Sequence, residues 1–327
     1  MMIKNIARDI YMIKVPLPEN PLKNLNSYLV KGKDRNLLID TGFNTQICYD
    51  ALTTGLKEIG IAMDDTDIFI THLHTDHAGL CARIASPSSK IYMSRIDSQH
   101  IKSSFNINYF DNLETIFYSL GFSKEEFANN IKSSPIVKYA PPIDTAYTEI
   151  EDGYVIDLGN RKLKAVLTPG HTPGHMCLYV ENEKLLFSGD HVIFDITPNI
   201  TKWRGFYNSL GQYMKSLSLI KSMPIELTLS SHRNPMGNCN ERIDELFHHH
   251  EIRIKEANNI VKQFPGLSPY DIASKMTWSI RAKDWKAFPV VQKWFATGEA
   301  SAHLDYLEDA GMVKSTNVDG NIKYWPV

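Results

Sequence analysis

Cysteine is scarce in this chain. The four present, Cys48, Cys81, Cys177 and Cys239, lie far apart and form no CxxC pair. That excludes a zinc ribbon and argues against a disulfide framework, so a reducing, cytoplasmic setting is expected. Long apolar runs are missing too. No stretch approaches the roughly 18–20 uninterrupted apolar residues that cross a bilayer. The opening MMIKNIARDIYMIKVPLPENP carries scattered charges where a secretory signal would have an apolar core, and no membrane association is expected. Nor does one sign of charge dominate: 35 Lys and Arg stand against 37 Asp and Glu, a net of −2. A protein that lives on nucleic-acid phosphates usually shows a basic excess, so nucleic acid is not the expected partner. With 43% hydrophobic and 22% charged residues over 327 positions, the usage is that of a globular protein and not of a disordered or fibrous one. The length suits one large domain or two unequal ones.

The first half is rich in short β-type runs. Residues 26–30 (NSYLV) and 36–40 (NLLID) flank a turn-like KGKD, and the second run ends in Asp40-Thr41-Gly42. Ile47, Ala51, Leu52, Leu56 and Ile59 then fall at helical spacing. Residues 67–72 form another apolar run that passes into a polar loop; 79–85 reads as a helix start and 90–93 as a strand. Strand, polar loop, helix, strand is an α/β pattern, with chemistry expected at the carboxyl ends of strands. Residues 96–135 read instead as helices rich in aromatics, among them Phe105, Tyr109, Phe110, Phe117, Tyr118, Phe122 and Phe127. These rings form either the insert's own core or a wall over an apolar substrate. Short strands return at 154–158, 163–167, 176–180 and 184–187.

Beyond about residue 240 the pattern is helical: 241–264, then 268–276 with Ser268 as N-cap, then 289–310. The tail reads as a hairpin turning at Asp319-Gly320. Three helices and a two-stranded wing is a winged-helix order. Residues 240–327 carry 11 Lys and Arg against 12 Asp and Glu, where a DNA-binding module should be basic. Packing or dimerisation is the expected role, which leaves a homodimer open.

One segment concentrates chemistry. In Thr71-His72-Leu73-His74-Thr75-Asp76-His77-Ala78-Gly79, three of the chain's 12 imidazoles and a carboxylate fall within six positions, just past an apolar strand. In an extended stretch residues two apart face the same way, so His72 and His74 can grip one ion. Where the chain turns, Asp76 and His77 can face a second. Nitrogen and carboxylate donors without thiolate suit zinc, and also iron or manganese.

HLHTDH resembles the HxHxDH signature of the metallo-β-lactamase superfamily, of the glyoxalase II-like kind. Asp40-Thr41-Gly42, Thr168-Pro-Gly-His171-Thr-Pro-Gly-His175, Ser188-Gly-Asp190 and Ser231-His232 resemble its other motifs, in order. The likeness covers residues 1 to about 238. Residues 190–200 (DHVIFDITPNI) and the tail look like the subgroup with a C-terminal winged-helix extension. His74 stands where the flavodiiron branch has glutamate. Ser231-His232-Arg233 stands where relatives commonly have Gly-His-Gly, which brings Arg233 beside the site. The resemblance implies a metallo-β-lactamase αβ/βα sandwich over residues 1–238, with the aromatic insert at about 96–135, and a helical, winged-helix-like domain over 239–327. It implies two divalent metal ions: His72, His74 and His171 on one, Asp76, His77 and His232 on the other, Asp190 bridging. A hydroxide shared by the pair would attack the substrate, and Asp76 would also handle the proton of the leaving group. Asp40 is either a hydrogen-bond acceptor for a ligand imidazole or plain turn chemistry.

Other histidines read differently. His175 is expected to hydrogen-bond and not to ligate. His191 either contacts substrate or supports the site. His248, His249 and His250 fan out by ~100° each on a helix and cannot converge on one ion, so a partly solvated face is expected, while His303 is expected to pack. Metal-dependent hydrolysis of a small thioester, ester or lactone is the expected activity, since an aromatic insert suits an apolar acyl group. A phosphodiester is the alternative, with iron-dependent oxidation and non-enzymatic binding as lesser readings.

Overall fold

The structure, a computed structural model, describes residues 3–104, 109–133, 138–279 and 282–327. Two sheets face each other. The first runs β1 (Ile3–Ala7), β2 (Ile10–Pro16), β3 (Asn24–Val30), β4 (Asn36–Ile39), β5 (Thr66–Phe69), β6 (Ile91–Ser94) and β7 (Thr148–Ile150) in that spatial order. Its pairs are antiparallel from β1 to β4 and parallel from β4 to β7. The second is ordered β12 (Leu227–Ser230), β11 (Leu185–Gly189), β10 (Met176–Val180), β9 (Lys162–Leu167) and β8 (Val155–Asp157), with β11 and β12 parallel and the rest antiparallel. The inner faces share one core, where Tyr28, Val30, Ile39 and Phe69 meet Met176, Leu178, Val180 and Phe187; Tyr28 meets Phe187 edge-on with ring centres 5.4 Å apart.

Helices cover the outer faces. Helix Gln46–Ile59 starts at Thr45, whose side chain accepts from the Cys48 amide, and stops at Gly60 in the left-handed region, φ 77°. It lays Cys48, Leu52 and Leu56 against the first sheet. Helices Ser209–Lys221 and Cys239–Gln263 cover the second. The α/β sandwich is therefore as expected. Strands β1, β2, β7 and β12 and helix Ser209–Lys221 are additions that local pattern did not reveal.

The insert forms helices Arg95–Ser104, Tyr109–Leu120 and Lys124–Ser133. Phe117 stacks on Trp294 at 4.0 Å and 2°, and with Phe122, Phe127 and Tyr270 it makes a small core. Phe117, Phe122 and Phe127 thus pack with the C-terminal helices, the first of the two expected readings. Phe105 lies outside the described residues, and Tyr109 and Phe110 are described by their backbone alone. The C-terminal segment follows the expected order: helix Cys239–Gln263, helix Pro269–Lys275 capped by Ser268 with Asp271 closing a capping box, helix Val290–Asp309, and the hairpin β13 (Val313–Val318) and β14 (Asn321–Pro326). Asp319 and Gly320 both have positive φ, the geometry a two-residue hairpin turn demands. No helix among the described residues is long and apolar enough to cross a membrane.

Candidate metal centre

Each sheet contributes a parallel pair, and the carboxyl ends of these pairs converge at one edge of the sandwich. From the first sheet, Asp40 follows the last residue of β4 and β5 runs into the 71–77 segment. From the second, Asp190 follows the last residue of β11, and β12 leads into Ser231 and His232. The hairpin loop between β9 and β10 adds His171. The two sheets are tied together here by Asn26 N donating to Ser231 O at 2.7 Å and Tyr28 Oη to Ser230 O at 2.7 Å. The fold thus brings all seven predicted residues into one pocket.

Three groups lie close enough to hold a metal ion, their ligand atoms within 4.8 Å of one another: His72, His74 and His171; His72, His77 and Asp190; and Asp76, His77 and His232. His74 Nδ1 sits 3.0 Å from both His72 Nε2 and His171 Nε2. His77 Nε2 sits 3.2 Å from His232 Nε2. Asp190 reaches both ends. Its Oδ1 is 3.6 Å from His77 Nε2 and 3.5 Å from His232 Nε2, and its Oδ2 is 3.7 Å from His171 Nε2. Asp76 Oδ2 is 3.5 Å from His232 Nε2.

The outer hydrogen bonds fix which nitrogens carry lone pairs. His171 Nδ1 donates to Asn199 O at 2.8 Å and His232 Nδ1 to Asn24 O at 3.0 Å, because a carbonyl can only accept. His77 Nδ1 faces the Asp40 carboxylate at 2.8 Å. In the neutral rings each Nε2 is therefore a lone pair aimed inward. The Nε2 lone pairs of His77 and His232, 3.2 Å apart, repel unless a positive charge lies between them. Asp190 Oδ1 is buried without a hydrogen-bond partner, which in a native protein calls for a missing cation or water. Neutral imidazoles and carboxylates are donors that divalent transition metals accept. On this chemistry the residues fit a metal centre.

The protonation tendencies agree. Burial lowers His72 well below its ordinary value and takes His74 down to about 3, and neighbouring imidazoles push the same way. For His77 and His232 burial opposes charge, but Asp40, Asp190 and Asp76 around the first and Asp190 and Asp76 around the second win, and both are raised. Asp76 falls to about 2 and Asp190 is also lowered: burial would raise each, and the surrounding imidazoles overcome it. The lowered carboxylates and the raised His77 and His232 all mark a pocket that favours positive charge.

Asp40 is no ordinary turn residue. Buried, with φ 58°, it accepts from Thr71 N, Thr71 Oγ1, His77 Nδ1 and Ser231 Oγ, and Thr71 Oγ1 in turn meets His72 Nδ1 at 3.0 Å. His175 stands behind the pocket. Its Nδ1 meets Thr168 Oγ1 at 2.8 Å and its Nε2 accepts from Asp190 N at 3.2 Å. His191 is fully buried, its ring 5.1 Å from Tyr213. Arg233 has φ 59°, the left-handed conformation that favours glycine, and its Nη2 donates outward to Pro21 O. Of the triplet, His248 is exposed and His249 half-buried, but His250 is buried and pairs with His303. The solvated-face expectation is wrong for His250, because that residue turns toward helix Val290–Asp309.

Two residues escaped sequence reading. Asp97 is buried and accepts from Leu73 N (2.9 Å), Thr172 Oγ1 (2.7 Å) and Gly174 N (2.7 Å), joining the loop of His72 and His74 to the loop of His171. Burial raises it to about 6, against those three hydrogen bonds. Its local signal, Ser94-x-x-Asp97 at a helix start, reads as a cap. Trp203 stacks on His74 with ring centres 5.9 Å apart, and its Nε1 donates to His171 O at 3.0 Å. Nothing local marks it.

Known proteins place the chain. Residues 21–232 match the family model described as Metallo-beta-lactamase superfamily. The protein belongs to that superfamily, whose members are metallo-hydrolases built on divalent metals. Among curated relatives it is 26% identical over 237 residues to a lactamase-like protein of Neosartorya fischeri, covering 72% of this chain and 56% of that one. It is 23% identical over 265 residues to a beta-lactamase-like protein 2 homolog of Caenorhabditis elegans, covering 80% and 74%. The chain thus spans little more than half the length of the fungal relative. Two crystal structures share its fold along nearly its whole length. One is a metallo-beta-lactamase family protein of Thermus thermophilus (TM-score 0.83, 23% identity, 99% of this chain and 100% of that one). The other is a beta-lactamase domain protein of Burkholderia ambifaria (0.82, 23%, 99% and 94%).

Proposed function

We propose that this chain is a dinuclear metallo-hydrolase acting on a small thioester, ester or lactone. His72, His74 and His171 would hold one divalent ion and Asp76, His77 and His232 the other, with Asp190 placed to serve both; zinc is the expected metal, with iron and manganese the alternatives. The observation that carries this reading is Asp190, whose two oxygens face different ends of the cluster. When bound, such ions supply Lewis acidity and make water nucleophilic at neutral pH.

The chain's own residues do the rest. Asp40, Asn24 O and Asn199 O hold the imidazoles with lone pairs inward. Asp76 is the more exposed of the two carboxylates, its side chain 14% exposed against 9% for Asp190, and is the one assigned to the proton. Ionised at neutral pH, it accepts a proton from the attacking water and returns it to the departing group. Trp203 offers an aromatic face beside His74, suited to an apolar acyl group. The near-neutral charge of the chain speaks against a polyanionic substrate.

Elemental analysis joined to a turnover panel of thioesters, lactones and phosphodiesters on one preparation tests this. Two equivalents of metal with chelator-sensitive acyl hydrolysis are expected. Preference for phosphodiesters would overturn the substrate class, and full turnover after metal removal would overturn the mechanism.

A further inference from the structure

The loop that carries Trp203 touches the metal centre at one end and the C-terminal helix at the other. At the near end, Asn199 O accepts from His171 Nδ1 and Trp203 Nε1 donates to His171 O, so residues 199–203 grip His171 from both sides. At the far end three hydrogen bonds and a packing contact reach helix Val290–Asp309, while Asn208 also caps helix Ser209–Lys221. Lys202 N donates to Gly298 O at 3.2 Å, Lys202 Nζ meets Asp305 Oδ1 at 2.7 Å, and Asn208 Nδ2 donates to Asp309 Oδ2 at 2.8 Å. Buried Ile200 shares a core with Ala302. Positions 298, 302, 305 and 309 follow the i, i+4, i+7, i+11 spacing that puts residues on one helix face. One stripe of this helix is given over to the loop.

Gly298 shows how closely the two are fitted. A Cβ there would stand 2.1 Å from Thr201 Oγ1 and 3.1 Å from Thr201 Cβ. The helix itself is buried almost all round. Other faces pack Leu304 and Leu307 into the C-terminal core and lay Trp294 on Phe117 of the insert. A wall fixed this firmly at one end can hold a ligand at the other.

We infer that helix Val290–Asp309 is a positioning element of the metal centre, acting through the strap 199–208 to fix Trp203 and His171. The inference rests on the reading of the pocket as a metal site. It gives the C-terminal segment a role in the chemistry: setting ion affinity at the three-imidazole end and the shape of the substrate wall.

The test uses the full chain. Cobalt(II) titration of metal-free protein, followed by visible absorption, reads the two sites separately. Protein labelled with 5-fluorotryptophan reports Trp203 by 19F NMR without any ion, its resonance assigned with Trp203→Phe. Gly298→Ala is expected to weaken one cobalt site about tenfold, the size usual for losing support behind a ligand. It should also shift the Trp203 resonance and leave that of Trp325 in place. Thr201→Ala with Gly298→Ala removes the atom that would collide and should restore both readings. Val313→Ala, in the C-terminal core away from the strap, should lower the melting temperature and leave both cobalt sites unchanged. The inference is overturned if Gly298→Ala moves neither reading, or if Val313→Ala weakens cobalt as much. A parent that takes up no cobalt would overturn the metal reading instead, and the Trp203 resonance would still decide the strap.

Discussion

The chain has two runs dense in histidine, 72–77 and 248–250, and folding treats them in opposite ways. Both bring buried imidazole nitrogens about as close: 3.2 Å between His77 and His232, 3.2 Å between His250 and His303. The second is a completed hydrogen bond. His303 Nδ1 donates to Glu299 O at 2.7 Å, so its Nε2 is an acceptor, and His250 Nδ1 supplies the proton. One donor meets one acceptor, and among the described residues no carboxylate forms a metal-binding group with them. At the first run the outer bonds of His77 and His232 take up their Nδ1–H groups, two Nε2 lone pairs meet, and Asp76 and Asp190 add charge. Histidine density does not make a metal site; what makes one is protons drawn to the outside and carboxylates placed within.

The hardest blow to that contrast is to change the charge inside the pocket. Asp190→Asn keeps the side chain's size but replaces an anionic oxygen with a weaker amide ligand. One of two metal equivalents should be lost or become labile. Turnover on whichever substrate the panel finds should fall by on the order of 100-fold or more, mainly in kcat. Normal kcat with both metals retained would break the assignment of Asp190.

A milder test loosens the support and leaves the ligands alone. Asp97→Asn keeps one accepting oxygen but turns an NH₂ group toward donors among Leu73 N, Thr172 Oγ1 and Gly174 N. Ion affinity at the three-imidazole end should weaken by about tenfold, while the end held by Asp40 stays intact. Competition with a chelator reads the two affinities. Equal weakening at both ends would show that Asp97 acts on the whole fold and not on one end.

The contrast also explains what could be read from the sequence. Strands β3, β4 and β10 and helix Gln46–Ile59 were legible because apolar runs there are bounded by turns, by Thr45 or by Gly60. The cluster 72–77 was legible because four of its members are local. Asp97 was not, since Thr172 and Gly174 lie 75 and 77 residues away, and neither was Trp203, whose partner carbonyl at His171 is 32 residues away. Helix Ser209–Lys221 hid behind a sequence mixing serines and lysines with its apolar positions. His250 misled because its partner His303 lies on another helix.

A smaller effect should appear in the pH dependence of stability. Burial holds His250 well below its ordinary value and His303 at about 3. The unfolded chain takes up protons on these rings from near 6.5 downward, and the folded chain does so only at much lower pH. Where the unfolded state binds more protons, stability rises with pH. The pair therefore costs nothing above roughly pH 7 and progressively destabilises the fold as pH drops from about 6.5 toward 3. His250→Leu with His303→Leu should flatten the fall in melting temperature between pH 7.5 and 5, relative to the parent. Subtracting the parent's own slope removes the contribution of the metal-centre histidines, which both proteins share. An unchanged slope would mean that the pair titrates normally.

The smallest expected effect on metal content is none at all. Replacing His248, His249 and His250 together with alanine removes a quarter of the chain's 12 histidines. If density were the criterion, this should cost an equivalent of metal. The helix splays the three rings by ~100° each; His248 faces solvent, His249 is half-buried, and only His250 turns inward, already engaged with His303. No carboxylate completes a donor set there, and no ligand group among the described residues includes any of the three. The variant should bind the same number of ions as the parent. It should be less stable by about 1–3 kcal/mol, since losing the His250 ring leaves a cavity and strips the buried His303 Nε2 of its donor. Elemental analysis of the folded fraction, kept well below its lowered melting temperature, separates the two effects. Loss of one equivalent would place a ligand on this helix and undo the distinction between the two runs.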